Sequence, residues 1–297
     1  MAEDELQEVR DNFYVGNFQK AFQMCESTTV SNDIAQAELG ATLARCCLSL
    51  QVFDRLKAMQ NSECPGQRAC ANMAVILKSK NEQQKTSAKE RLAALAKETQ
   101  DMSSAMLTAI SLAIDGSYAD AVQLTKQHPT LEMQALAVFF CLICNQVTMA
   151  EKMLHDMAGT NDDSASFRLA SAAVKLATGD PEEAYLTYCD LTTQLPPSEG
   201  DDSGTGSVLL QTGKALANMQ RGMYTEAVDD LQRAVALSPN DPDVLVNLCC
   251  CMTHLEKKEE FQQYYAKLEQ ASPTHPYVVK TQSISSVFQR FKASLEA

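Results

Sequence analysis

The sequence predicts an all-α fold, a right-handed α-solenoid of antiparallel helix pairs, on three observations. A Gly-x-aromatic-or-Pro-x-x-Ala motif recurs at Gly16 to Ala21, Gly116 to Ala121, Gly179 to Ala184 and Gly222 to Ala227, each time between two apolar periodic stretches. Ala150 and Ala184 stand 34 residues apart, as do Ala227 and Phe261, and as do Pro239 and Pro273. Finally, 11 Gly and 9 Pro in 297 residues are too few for the many tight turns of a β-sandwich or barrel.

Each residue type in the motif has its own task. Gly ends the first helix in the left-handed conformation, the aromatic or Pro opens the second, and the small Ala lets the two helices approach closely. A near-constant period separates a stack of such hairpins from an irregular bundle. The 34-residue step and the Gly, aromatic, Ala, Pro order resemble the tetratricopeptide repeat, a pair of antiparallel helices.

Along the chain this implies one helical-repeat domain over 1–297, with degenerate repeats over 1–195. The polar residues 78–89 read as a turn between two helices. The motif alanines Ala184 and Ala227 are separated by more than one period, and the surplus matches 196–206, an expected solvated acidic loop. The best-matching repeats cover 207–275. Strict counting back from Pro239 would bury Lys214 and Asn218; a two-residue shift buries Leu209, Gly213 and Leu216 instead, so a longer inter-helix turn is expected there. In the unit from Pro242 to His275, Leu245, Leu248, Cys249 and Met252 fill the inner slots of the first helix and Phe261, Tyr265 and Leu268 those of the second. At 276–297, Ile284, Val287, Phe288 and Phe291 follow i, i+3, i+4, i+7 spacing, which predicts a terminal helix capping the last apolar face of the stack.

Charge and cysteine usage bound the function. With 25 Lys and Arg against 38 Asp and Glu, the net charge of −13 argues against nucleic acid and direct membrane insertion, which need clustered cations. Eleven cysteines, some adjacent, inside apolar runs read as reduced thiols of a cytosolic protein. The acidic start, Met1 to Glu5, lacks a signal peptide's pattern, and the apolar run from Ala135 to Cys144 falls short of the ~20 residues that span a bilayer.

No constellation states a reaction. Cys141-Leu-Ile-Cys144 is the only CxxC, without the second pair that zinc requires, and reads as core packing. His128, His155, His254 and His275 belong to no metal or nucleophile motif, and Gly204-Thr-Gly206 lacks the ending of a phosphate-binding loop. Acidic pairs such as Glu182-Glu183 and Asp229-Asp230 read as solvated faces. No catalytic residue, cofactor or metal is therefore assigned. What remains is a binding surface. In tetratricopeptide superhelices the first helix of each pair lines a concave groove, and here those slots are Met106, Ile110, Ala135, Phe139, Leu142, Ile143 and Val246. Being apolar on an acidic chain, they do not suit the acidic carboxyl-terminal peptides that co-chaperone repeats clamp.

Val9 to Phe18, Leu176 to Tyr185, Leu245 to Leu248 and Ser272 to Tyr277 resemble the epsilon subunit of the coatomer, the coat of Golgi-to-endoplasmic-reticulum vesicles. The resemblance implies a non-enzymatic cytoplasmic subunit, peripheral on Golgi membranes, whose helical repeats curl around a projecting segment of the coatomer alpha subunit's carboxyl-terminal domain. Two alternatives stand beside it. A soluble NSF attachment protein would show a regular row of basic residues on one face. A helical-repeat enzyme with a cysteine site would have one thiol far more reactive than the rest.

Overall fold

The structure, a computed structural model, describes residues 6–99, 101–159, 162–197 and 206–296. The chain separates into two compact units, Met1–Gly206 and Ser207–Ala297. Among the described residues the regular structure is helical throughout. The first unit holds α1 Gln7–Tyr14, α2 Phe18–Ser27, α3 Asp33–Ser49, α4 Phe53–Ala58, α5 Pro65–Lys78, α6 Glu82–Thr99, α7 Met102–Ile114, α8 Tyr118–Gln127, α9 Leu131–Ile143, α10 Val147–Met157, α11 Ala165–Thr178 and α12 Pro181–Gln194. The second holds α13 Val208–Gln220, α14 Tyr224–Leu237, α15 Pro242–His254, α16 Lys258–Ala271 and α17 Pro276–Glu296. Odd and even helices pair as antiparallel hairpins from α1 to α16, an α-solenoid arrangement, and α17 stands alone.

The turn inside each hairpin is where sequence sets structure. Gly16, Gly116, Gly179 and Gly222 all have left-handed backbones, with φ of 89°, 82°, 87° and 76°. The same turn recurs without glycine at Gln51, Asn145 and Glu256, with φ of 58°, 56° and 57°. The amide one residue on reaches back five residues to close it: Asn17 donates to the Asn12 carbonyl at 2.9 Å, Gln146 to Cys141 at 2.8 Å, Met223 to Asn218 at 2.9 Å and Lys257 to Met252 at 3.0 Å. This is the Schellman closure, and it satisfies carbonyls that the helix end leaves open. Five residues past the left-handed position, Ala21, Leu56, Ala121, Ala150, Ala184 and Ala227 are fully buried. At the other end, Asn32, Asp101, Thr130, Ser164, Ser207 and Asp241 cap α3, α7, α9, α11, α13 and α15 with their side chains. Six of the eight first helices are thus started by a side-chain cap, α1 and α5 being the exceptions, whereas among second helices α6 is capped by the Asn81 side chain, which accepts the Gln83 amide at 2.9 Å.

Three expectations change. Residues 78–89 are mostly helix: only 79–81 form the turn, and α6 begins at Glu82, its first turns polar because they are exposed. In α13 strict counting is right, and of the two-residue shift only Gly213 is buried as expected. Lys214 and Asn218 are buried, whereas Leu209 and Leu216 are exposed. Polar residues are tolerated inside because Asp230 of α14, also buried and not on a solvated face, lies opposite them. Its carboxylate accepts from Asn218 Nδ2 at 3.0 Å and faces Lys214 Nζ at 3.6 Å and Arg233 Nη1 at 3.0 Å. Burial pushes the Asp230 carboxyl up, and Lys214 and Arg233 oppose that shift. Third, the apolar capping of the second unit by α17 is confined to its first turn, where Tyr277 and Val278 pack on Leu245 and Leu268, with a hydrogen bond from Gln282 Nε2 to Glu269 Oε1 at 2.6 Å one turn on. Tyr277 and Val278 fill the space over the last pair, and Ile284, Val287, Phe288 and Phe291 remain exposed. Of the expected 196–206 loop, residues 198–205 lie outside the described residues.

The two turn chemistries predict opposite responses. A Cβ at Gly222 would meet nothing within 4 Å, so Gly222→Val is charged only for its backbone, about 1–2 kcal/mol. Glu256→Gly relieves the same conformation and should raise stability by about 0.5 kcal/mol once the extra unfolded-state freedom is subtracted. Urea midpoints of the two variants, moving in opposite directions, are the check. Asp230→Ala leaves a buried ammonium without its counter-ion and should cost about 3 kcal/mol. Adding Lys214→Met should recover part of that loss in the same assay.

Candidate partner-binding surface

In the first unit the solenoid's inner face is partly filled by the chain itself. Helix α1 lies across the amino-terminal ends of α7, α9 and α11. Tyr14 packs with Met102, Ala105, Met106, Met133 and Leu136. Arg10 bridges Glu38 of α3 at 2.6 Å and Glu132 of α9 at 3.7 Å. The Asp11 carboxylate accepts the amide of Ala165 at the start of α11, 2.9 Å away. One hairpin further, Asn17 Nδ2 donates to the Leu195 carbonyl at 2.8 Å and Lys20 Nζ to that of Pro196 at 3.2 Å. The first hairpin therefore meets the end of α12.

Beneath α1 sits a buried cation. The Arg45 guanidinium donates to Tyr14 Oη at 3.2 Å, to Thr42 Oγ1 at 2.9 Å and to Met106 Sδ at 3.6 Å. Its carbon lies 5.0 Å from the centre of the Phe13 ring. Aromatic faces and neutral acceptors thus share the task of holding this charge. Burial pushes the Tyr14 phenol up, which keeps it neutral as the acceptor.

This arrangement grades the seven groove positions. Met106 and Ala135 are buried, Met106 under Tyr14 and Ala135 among Val138, Ala150 and Ala170, and offer no surface to a partner. Ile110, Phe139 and Leu142 are half-buried and mostly committed to the core. Ile143 is open, at 61% exposure. Val246 lies in the second unit, half-buried beside Leu245 and Leu268, and is not brought to the other six by any contact within a unit. Sequence reasoning missed Ile114, at 55% exposure. It occupies in α7 the place that Ile143 occupies in α9, two residues before the left-handed residue, so alignment of the turns Gly116 and Asn145 would have found it. The open surface is a rim at the carboxyl ends of first helices, with its inner part covered by α1.

The cysteines follow burial. Cys141 is buried and Cys144 exposed, so the CxxC pair is split between core and surface. Burial pushes the Cys70 and Cys249 thiols up to about 12 and Cys251 up to about 11. Among the described residues no group of three or more His, Cys, Asp or Glu is placed to share a metal ion, and no helix is long and apolar enough to cross a membrane.

The repeated hairpin with its left-handed turn defines a helical-repeat protein of the tetratricopeptide class. Solved structures with this architecture agree: the Cut9–Hcn1 hetero-tetramer of the APC/C aligns over 94% of this chain and 56% of that one with a TM-score of 0.65 at 12% identity. A tetratricopeptide repeat protein from Parabacteroides merdae aligns over 89% and 96% with a TM-score of 0.57 at 13% identity. The family model of the coatomer epsilon subunit matches residues 2–296, and the chain belongs to that family. Coatomer subunit epsilon-1 of Oryza sativa subsp. japonica is 28% identical over 97% of this chain and 96% of its own length. Coatomer subunit epsilon-2 of Arabidopsis thaliana is 27% identical over 97% and 95%. Membership sets aside the attachment-protein reading.

Thiol labelling with a chromogenic disulfide at pH 8 should modify Cys144 first, and Cys144→Ser should remove the fastest phase. Cys70, Cys249 and Cys251 should label only on unfolding, because the thiolate is the reactive form. A native-state thiol reacting faster than free cysteine would revive the cysteine-site alternative.

Proposed function

We propose that this chain is a non-enzymatic subunit of the coatomer coat that binds the carboxyl-terminal domain of the alpha subunit and, through it, the rest of the coat. It works in the cytoplasm, peripherally on Golgi membranes and vesicles, in Golgi-to-endoplasmic-reticulum and intra-Golgi transport. Family membership over nearly the whole chain carries this reading. The surface assigned to the partner is the apolar rim of Ile114 and Ile143 with the adjoining edges of Ile110, Phe139 and Leu142. Two large aliphatic side chains stand exposed in equivalent places on successive hairpins, and exposed residues of this kind are what interfaces bury. Val246, half-buried in the second unit, is a separate contact assigned to the same partner.

Ile114→Asp with Ile143→Asp tests the reading without opening the core, since both side chains are exposed. The variant should keep its helical circular dichroism and bind the purified alpha-subunit domain at least tenfold more weakly by calorimetry, about 1.4 kcal/mol or more. Saturating domain should raise the melting temperature of the unaltered chain. Unchanged affinity in the variant would remove the rim from the interface and leave family membership intact.

A further inference from the structure

The second unit ends in a feature that its own packing does not use. Beyond Val278, α17 carries Ile284, Val287, Phe288 and Phe291 on one stripe, with Ile284 70% and Phe288 68% exposed. From 282 to 295 every residue is exposed. We propose that α17 is a docking helix whose stripe enters an apolar, carboxylate-rimmed groove on the protein partner of the coat, a contact additional to the rim of Ile114 and Ile143. The proposal rests on the coat-subunit reading.

Four observations select this occupant. The anchors fall at i, i+3, i+4 and i+7, the spacing by which an amphipathic helix seats in a protein groove. The helix is already formed and held at its base by Tyr277 and Val278, so binding need not order it. At ~100° per residue, Arg290 falls on one edge of the stripe and Lys292 on the other. The back is uncharged, with Ser285, Ser286 and Gln289. Finally, α17 contains three basic residues and one acidic residue in a chain of net charge −13, so its sign is opposite to that of the rest. Basic edges call for an acidic rim.

The same features weigh against other occupants. A second copy would set Arg290 and Lys292 against their own kind across the seam. An anionic lipid surface would gain only three cations while repelling the acidic remainder of the chain.

The test uses the full chain and the purified coatomer alpha-subunit domain as probe. Ile284→Asp with Phe288→Asp, and separately Arg290→Glu with Lys292→Glu, should each weaken binding at least tenfold with circular dichroism unchanged. Added salt should weaken the unaltered chain more than the charge-reversed one. If both variants bind like the unaltered chain while the Ile114/Ile143 variant does not, the docking helix is overturned and the coat-subunit reading stands. If the unaltered chain does not bind the domain, the partner assignment and the docking helix fall together. Flotation with phosphatidylserine vesicles, or a dimer in sedimentation, that the Ile284/Phe288 variant abolishes would also overturn the proposal in favour of a lipid surface or a second copy.

Discussion

In seven of the eight hairpins the packing depends on a single left-handed residue between the paired helices; only α5 and α6 are joined, through 79–81, without one. Helix ends leave four carbonyls open, and a chain that reverses direction within three residues must satisfy them at once. The Schellman closure does so, and its geometry returns the second helix close to the first. Close return demands a small side chain five residues on, which Ala21, Ala121, Ala150, Ala184 and Ala227 supply. Leu56 fits the same place in the α3–α4 hairpin, where α4 is only six residues long. At Phe261 the ring is left half-buried, and α16 buries fully only Leu268 of its own residues. The turn thus sets both the hairpin and the depth of the core that it can form.

A hairpin cannot bury both sides of its first helix. Stacking covers the flanks and leaves the inner face open. In the first unit α1 solves this locally, bringing Tyr14 and Arg10 onto α7 and α9 and an aspartate to the amino terminus of α11. The buried Arg45 belongs to the same solution: its guanidinium joins α3 to α1 through Tyr14 and to α7 through Met106. Those contacts consume the deep part of the groove. What is left for a partner is determined by how far α1 reaches, and it does not reach Ile114 or Ile143.

Much of the fold was legible because its determinants are local. Gly16, Gly116, Gly179 and Gly222 mark turns by a conformation that glycine alone adopts freely, and each is left-handed. Gln51, Asn145 and Glu256 adopt the same conformation without that mark, so the hairpins of Asn145 and Glu256 were visible only through spacing and the one at Gln51 matched neither motif nor spacing. The register of α13 was misread because polarity was taken as exposure; Lys214 and Asn218 are interior only by virtue of Asp230 on the next helix, a pairing that no local pattern encodes. Met106 and Ala135 were read as groove-facing for a related reason. Periodicity tells which face of a helix is apolar, not which other segment covers it: Met106 lies under Tyr14 of α1, more than eighty residues away in sequence, and Ala135 packs with Ala150 of α10 and Ala170 of α11.

The exposed apolar positions have a pattern that folding does not require. Tyr14 stands two residues before its turn and is half-buried, its ring packed on Met106 and its hydroxyl bonded to Arg45. Ile114 and Ile143 stand at the same place in later hairpins, where no neighbour covers them. A polar residue there would cost the hairpin nothing, since the turn is closed by backbone bonds alone. The same holds along α17 after Val278, where a helix half as long would seal Leu245 and Leu268 equally well. Exposed isoleucine and phenylalanine lower solubility and add no stability to the isolated chain. Among the described residues of their own units nothing covers them, and an apolar surface left open in this way is one that the neighbouring subunits of a coat can bury.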